Sequence, residues 1–382
     1  MICSFRTYSI LKEGVNPIMK KIARIFATLL SVAVISSSFA ACKDDFRLLR
    51  DAEEVKQIRE AKKLTAQLKE NMAATAITIN DDITVSGAYY GFFYSSEFSA
   101  AYSELASQAE AEAAANSSAD SSADSSAEPE INVDKEAVKN AAIESIIEIK
   151  TAYTKAVEAG VTLTDADRNA ISEQVTSYMN NIMGQGISYA DYLTASGTNA
   201  ETVEQIFTEQ YMGNYYYATL VADKYVTAKH ILIMFSEEAS ADSAAAEGTH
   251  TKADAKAMID EIKAELDNGA DFDTIMNEKG EDPGVETNPN GYTFAANEMD
   301  PAFESAAFAL EPGKTSAIIE TSYGYHIIKR LETDTTAIPA ALNQCRDLEV
   351  SEIINAETEA LKEAATVTEN AEIIEFYNTL FK

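Results

Sequence analysis

Apolar residues line one helical face through much of the first half of the chain. Val138, Ala142, Ile146, Ile149, Tyr153 and Val157 are spaced by 4, 4, 3, 4 and 4 positions, a single stripe that stops at Gly160. Thr164, with Asp167 three residues on, resembles a capping box. It would open a second helix carrying Ala170, Ile171, Val175, Tyr178, Met179 and Ile182 and ending at Gly184. A third helix is predicted after Asn199, running through Tyr211, Tyr215, Tyr216, Tyr217 and Leu220 toward Tyr225. Upstream, residues 44–73 are helical and strongly charged, and Ala76 to Val85 reads as a short hairpin turning at Asn80-Asp81-Asp82. An aromatic helix follows with Tyr89, Tyr90, Phe92, Phe93 and Tyr94. From Ala106 to Glu130 the pattern gives way to Ala, Ser, Glu and Asp with a repeated Ser-Ser-Ala-Asp unit, which predicts a low-complexity flexible loop.

The period changes at Val226. Thr227 to Phe235 has strand character, an acidic, Ala-rich loop covers Ser236 to Gly248, and a helix is predicted from Lys252 to Asn268 with Gly269 as its cap. A short helix starts at Phe272, a Gly/Pro/Asn-rich loop runs from Gly280 to Gly291, and Pro301 opens another helix to Leu310. Two strands then surround Tyr323-Gly324. The order β-α-α-α-β-β describes a small α+β unit. Residues 334–382 return to helix, with an aromatic end at Phe376, Tyr377 and Phe381.

Composition narrows what this organisation can do. The 382 residues include 62 Asp+Glu against 30 Lys+Arg, a formal charge of −32. That balance excludes nucleic acid as a partner, because counterion displacement needs clustered cations. It also excludes adhesion to anionic lipid through a basic patch. Three Cys without C-x-x-C spacing leave no zinc ribbon and no redox pair, and no nucleotide-binding glycine motif occurs. No metal or cofactor is expected. The tyrosines at 211–225 are either core and half-buried helix surface or an amphipathic lining for unfolded chains.

Residues 1–42 differ from the rest. Lys20, Lys21 and Arg24 precede a mostly apolar stretch from Ile25 to Ile35, and small residues close on Phe39-Ala40-Ala41-Cys42. The apolar run is short for a membrane span and has the layout of a signal peptide. Its end resembles a bacterial lipobox, which implies lipidation of Cys42 and an anchor on the extracytoplasmic face of the cell membrane. An ordinary secretory signal with an incidental Cys is the alternative. Met19 is a better-looking start than Met1. Cys345 would be the one thiol of the mature chain, so the exported fold rests on core packing.

The α+β unit carries four ordered motifs: Ala228-Lys229-His230-Ile231-Leu232-Ile233, Gly269-Ala270-Asp271-Phe272, the run from Met299-Asp300-Pro301 to Leu310, and Gly324-Tyr325-His326-Ile327-Ile328-Lys329. Together they resemble a parvulin-type peptidyl-prolyl isomerase domain, and the whole organisation is similar to PrsA- and SurA-like extracytoplasmic foldases. The resemblance implies an α+β chain: a mainly helical chaperone domain (43–224, with the 106–130 loop) and an inserted parvulin domain (225–333). The latter would be a four-stranded antiparallel sheet flanked by helices, and the C-terminal segment (334–382) would pack on the N-terminal domain. It further implies cis–trans isomerisation of X-Pro bonds in exported, unfolded polypeptides, which the helical regions would hold. Homodimerisation is left open.

In such domains a pair of histidines on neighbouring strands hydrogen-bond to each other, and His230 and His326 match them. They orient the pocket, or they are a satisfied structural pair. Asp282 matches the acidic position that faces the substrate amide, or it sets up a turn before Pro283. Met299 and Phe303 match walls of the proline pocket, Phe294 the family's aromatic, and Thr321 a polar rim position; core packing is the plain alternative for the apolar three. His250 reads as surface. The loop Asn288-Pro289-Asn290-Gly291-Tyr292-Thr293-Phe294 departs from the family's G-G-D-L-G-x-F, losing two glycines and the pocket Leu. Glu237, Glu238, Asp242 and Glu247 stand where phosphate-directed parvulins carry cations, which excludes phospho-Ser/Thr-Pro. A holdase with a degenerate parvulin domain is the second reading.

Overall fold

A computed structural model describes residues 52–117, 131–236, 250–342 and 345–381. The signal segment with Cys42, residues 118–130 of the low-complexity stretch and the acidic loop bearing Glu237, Glu238, Asp242 and Glu247 lie outside the described residues. The chain divides into two compact units, one of residues 214–357, the other of described residues 52–213 joined by 358–381.

The second of these units is mainly helical. Helix α1 (Ala52–Ala73) leads into the hairpin of β1 (Thr75–Ile79) and β2 (Ile83–Ser86), paired antiparallel. Asn80 and Asp81 turn it with φ of 51° and 66°, a conformation these two residue types tolerate better than most. Helix α2 (Gly87–Ser117) extends well into the stretch expected to be a loop. A composition unable to bury a core is still rich in Ala and Glu, strong helix formers, and that propensity carries the helix onward. Helix α3 (Lys135–Glu158) buries Val138, Ala142, Ile146 and Ile149 as the stripe predicts. Val157, in its last turn, is 49% exposed instead. The Thr164–Asp167 capping box opens α4 (Asp165–Gly184) with both reciprocal bonds made. Two further helices follow, α5 (Tyr189–Ala195) and α6 (Ala200–Val221). Tyr211, Tyr217 and Tyr225 are buried, which favours the core reading of those tyrosines.

In residues 214–357, β3 (Val226–Met234) is followed by α7 (Lys252–Asp267) and α8 (Phe272–Lys279). Gly269 takes φ +92° just beyond α7, the left-handed stop that glycine adopts without a Cβ penalty. Then come β4 (Tyr292–Phe294), α9 (Pro301–Ala309), β5 (Ile319–Glu320) and β6 (Gly324–Leu331). All pairings are antiparallel and the order is β4-β3-β6-β5. The expected element order had no strand at 292–294, where three residues are too few to show a period. Side chains alternate across the sheet. Ile231, Ile233 and Ile327 pack with Ile259, Ile262, Phe272 and Ile275 of α7 and α8. Val226, Ala228, Phe294 and Ile328 pack with Phe303 and Ala307 of α9 on the other face. Helices α10 (Ile338–Ala341) and α11 (Leu348–Ala364) follow.

The last strand, β7 (Val367–Glu369), pairs with β1 and completes a three-stranded sheet of order β2-β1-β7. After it, α12 (Ala371–Leu380) sets Tyr377 against Tyr90 at 5.4 Å, and Phe381 against Tyr94 and Phe98 at 5.6 and 5.4 Å. The Tyr377 hydroxyl donates to the Gly197 carbonyl over 2.8 Å. Among the described residues no helix is long and apolar enough to cross a membrane.

Candidate functional site

Strand alternation places the two histidines. His230 has the parity of Val226 and Ala228, and His326 that of Ile328, so both point to the α9 face. In the register, His230 lies opposite Ile328 and Leu232 opposite His326, making the imidazoles diagonal neighbours across β3 and β6. Their centroids are 5.2 Å apart at 60°, and they are only 9% and 5% exposed. Phe303, carried inward by the first turn of α9, stands edge-on to both rings at 5.2 and 5.5 Å. Asp300 caps that helix by accepting the Ala302 N–H, and Pro301 fits its first turn.

Asp282 reaches the same place from the loop after α8. It caps the 3-10 turn Pro283–Glu286 by accepting the Gly284 N–H over 3.0 Å, so its turn-forming role is real. Its other oxygen stands 3.4 Å from His230 Nε2. Asp282 therefore sets the turn and at the same time lies beside His230. Thr321 Oγ1 lies 2.8 Å from His326 Nε2 and accepts the Tyr323 N–H. A Thr321 hydroxyl donating to Nε2 leaves the ring's proton on Nδ1.

The expected hydrogen bond between the two imidazoles is not made. Neither nitrogen of His230, nor Nδ1 of His326, has a hydrogen-bonding protein partner. The rings meet at an edge-to-face angle, which suits packing but not a nitrogen-to-nitrogen bond. Burial pushes the His326 pKa down to about 4, with the neighbouring His230 adding to the effect. It lowers that of His230 too, partly offset by the Asp282 carboxylate. Both rings are thus neutral at physiological pH.

Met299 is half-buried against the apolar cluster that contains Phe303. Phe294 is 0% exposed and packs behind Phe303 at 6.0 Å, so it supports the wall rather than forming its surface. The structure therefore brings together His230, His326, Asp282, Phe303, Thr321 and Met299, with Phe294 one layer deeper. Among the described residues no group of three His, Cys, Asp or Glu could hold a metal ion.

Two features escaped the sequence. Tyr292, in the loop that departs from the family pattern, stacks on His230 at 5.7 Å and 22° and donates its hydroxyl to Asp282 over 2.7 Å. Burial and that carboxylate raise its pKa. Reading period two backward from Phe294 would have found it, had 292–294 shown as a strand. His250 is not plain surface: its Nε2 lies 2.6 Å from Glu281 Oε1 and the residue is half-buried. The two partners are 31 positions apart, and no local pattern links them.

Residues 216–334 match the PPIC-type PPIASE domain family. Over 70 residues the chain is 43% identical to the foldase protein PrsA of Geobacillus kaustophilus, covering 18% of this chain and 25% of that protein. Over 108 residues it is 32% identical to the chaperone SurA of Nitrosospira multiformis, 28% and 22% of the respective lengths. The crystal structure of PrsA from Bacillus subtilis aligns at 18% identity over 64% of this chain and 91% of that one, with a TM-score of 0.27. The match to these first curated relatives spans about a quarter of their own length.

Proposed function

We propose, from the premise that residues 216–334 form a parvulin-type, PrsA/SurA-like domain, that the chain catalyses cis–trans isomerisation of X-Pro bonds in polypeptides folding outside the cytoplasm. The observation that carries this reading is the convergence of Phe303 and Met299 with two buried imidazoles and the Asp282 carboxylate. Rotation about an X-Pro bond faces a barrier of about 18–20 kcal/mol because the planar amide is conjugated. No bond has to break. Twisting removes the conjugation, so the carbonyl oxygen loses negative charge and the nitrogen recovers its lone pair. Phe303 and Met299 would hold the pyrrolidine ring out of water. Neutral rings and a carboxylate beside the amide disfavour the charge-separated planar form more than the twisted one. Lowering the barrier by about 5 kcal/mol gives a few-thousand-fold acceleration.

The helical unit would hold unfolded clients. Residues 1–42 would direct export and, through a lipidated Cys42, tether the chain to the extracytoplasmic face of a bacterial membrane. A specific feature favours the second reading, a holdase with an idle isomerase unit: the Tyr292 hydroxyl already occupies an Asp282 oxygen. The test is a proline-peptide cis–trans assay on the full chain and on Tyr292→Phe. Acceleration by wild type supports the enzyme. Background rates for both proteins, with aggregation of a proline-free client still suppressed, would leave only the holdase. A Tyr292→Phe rate well above an inactive wild type would assign the loss to that hydroxyl.

A further inference from the structure

Strand β3 is flanked by β4 only at Val226, Thr227 and Ala228, so its farther residues would meet no strand on that side. Glu281 takes the strand's place there. Its backbone N–H donates to the Leu232 carbonyl over 2.9 Å, and its carboxylate Oε2 accepts the Met234 N–H over 2.7 Å. The other oxygen, Oε1, is the one paired with His250. His250 is itself tied to the end of β3, since its carbonyl accepts the Ser236 N–H over 3.1 Å and it forms a parallel bridge with Phe235. One residue thus makes two ladder-like bonds to β3 and one hydrogen bond to His250, and the next residue in the chain is Asp282.

We infer that Glu281, braced by His250, is the positioning residue of the site, holding Asp282 against His230 by continuing the β3 ladder with its own backbone and side chain. The geometry is tight in the sense that matters. Asp282 stands 3.4 Å from His230, and its loop is joined to β3 at Leu232, two residues beyond that histidine. Once the carboxylate at 281 is removed, the Met234 N–H loses its acceptor and His250 its partner. The 281–284 turn can then move away from the strand. Replacement by Gln keeps an acceptor for Met234 and so should keep the register.

The kinetic arm of the test rests on the prolyl-isomerase reading; the spectroscopic arm does not. On the full chain, Glu281→Ala should lower kcat about ten- to a hundredfold at nearly unchanged KM, the cost of displacing a reacting group by about 1 Å. Glu281→Gln should stay within about threefold of wild type, as for exchange of one hydrogen-bond acceptor. His250→Ala, which removes one brace and leaves the ladder bonds, should fall between. The chain has three histidines, so each ring can be followed by NMR titration. In Glu281→Ala the His230 midpoint should drop further as the Asp282 carboxylate withdraws, and Glu281→Gln should restore it. A lowered melting temperature with the His230 titration and kcat both unmoved would overturn the inference. If wild type shows no isomerase activity, the function fails while the His230 titration still decides the positioning. If Glu281→Ala does not fold, the same titration in His250→Ala decides it, and an unmoved midpoint there also refutes the brace.

Discussion

In the helical unit, Lys150 and Glu209 meet at 2.8 Å with each side chain about 7% exposed. Glu209 also accepts from Gln205 at 2.8 Å and from the Tyr89 hydroxyl at 2.9 Å, and the Lys150 ammonium lies 4.2 Å above the Tyr89 ring. In residues 214–357, His230 and His326 are buried to a similar depth, yet three of their four ring nitrogens have no hydrogen-bonding protein partner. A buried polar group without a partner costs stability, so a fold selected only for stability would not keep two such rings side by side. The contrast is one of saturation: the Lys150–Glu209–Tyr89 cluster pairs its polar atoms, and the two imidazoles leave three nitrogens unpaired.

The largest effect expected from this contrast is in the saturated cluster. Glu209→Ala strands a buried ammonium and should destabilise the chain by about 3–5 kcal/mol in urea unfolding. Joint replacement of Lys150 and Glu209 by Met and Leu should cost far less, because no charge is left behind. A loss under about 1 kcal/mol for Glu209→Ala would remove the architectural half of the comparison.

The next effect is set by pH. His326 titrates at about 4 in the fold and at about 6.5 in the unfolded chain, so acid protonates the unfolded form first. Stability from the neutral buried ring is complete above pH 6.5 and is lost as pH falls toward 4, by about 3 kcal/mol at pH 4. Comparing wild type with His326→Gln isolates it from the carboxylates: the variant should show the shallower decline between pH 6.5 and 4. Equal slopes would mean that the ring is not held neutral.

A smaller effect sharpens the functional half. Asp282→Asn keeps an oxygen to cap the Gly284 N–H, and Asn caps as well as Asp, so folding should shift by a few tenths of a kcal/mol. Isomerase turnover should drop about ten- to a hundredfold, the loss of one electrostatic element of a site. Unchanged turnover would reduce Asp282 to its turn.

Much of this was legible in the amino acids, wherever one segment carries its own signal. The α3 stripe, the Thr164–Asp167 box and the two strand histidines are visible within a dozen residues each, and their parity fixes the face they share. What stayed hidden depends on distant partners. Three residues at 292–294 become a strand only because β3 offers them an edge, and Tyr292 enters the site with them. His250 and Glu281 meet through the fold, not through spacing. Helix α2 outran its expected end because propensity, unlike core formation, needs no apolar face.

The β1–β7 pairing has a temporal consequence. A chain made from its N-terminal side presents residues 75–79 long before residues 367–369. The first sheet therefore stays one strand short until almost everything has emerged. Closing so large a gap costs entropy that grows with the number of loose links. If the stretch 214–357 has already collapsed, those links are fewer and the final clasp is easier to fasten. The 214–357 unit would then ripen ahead of the other one.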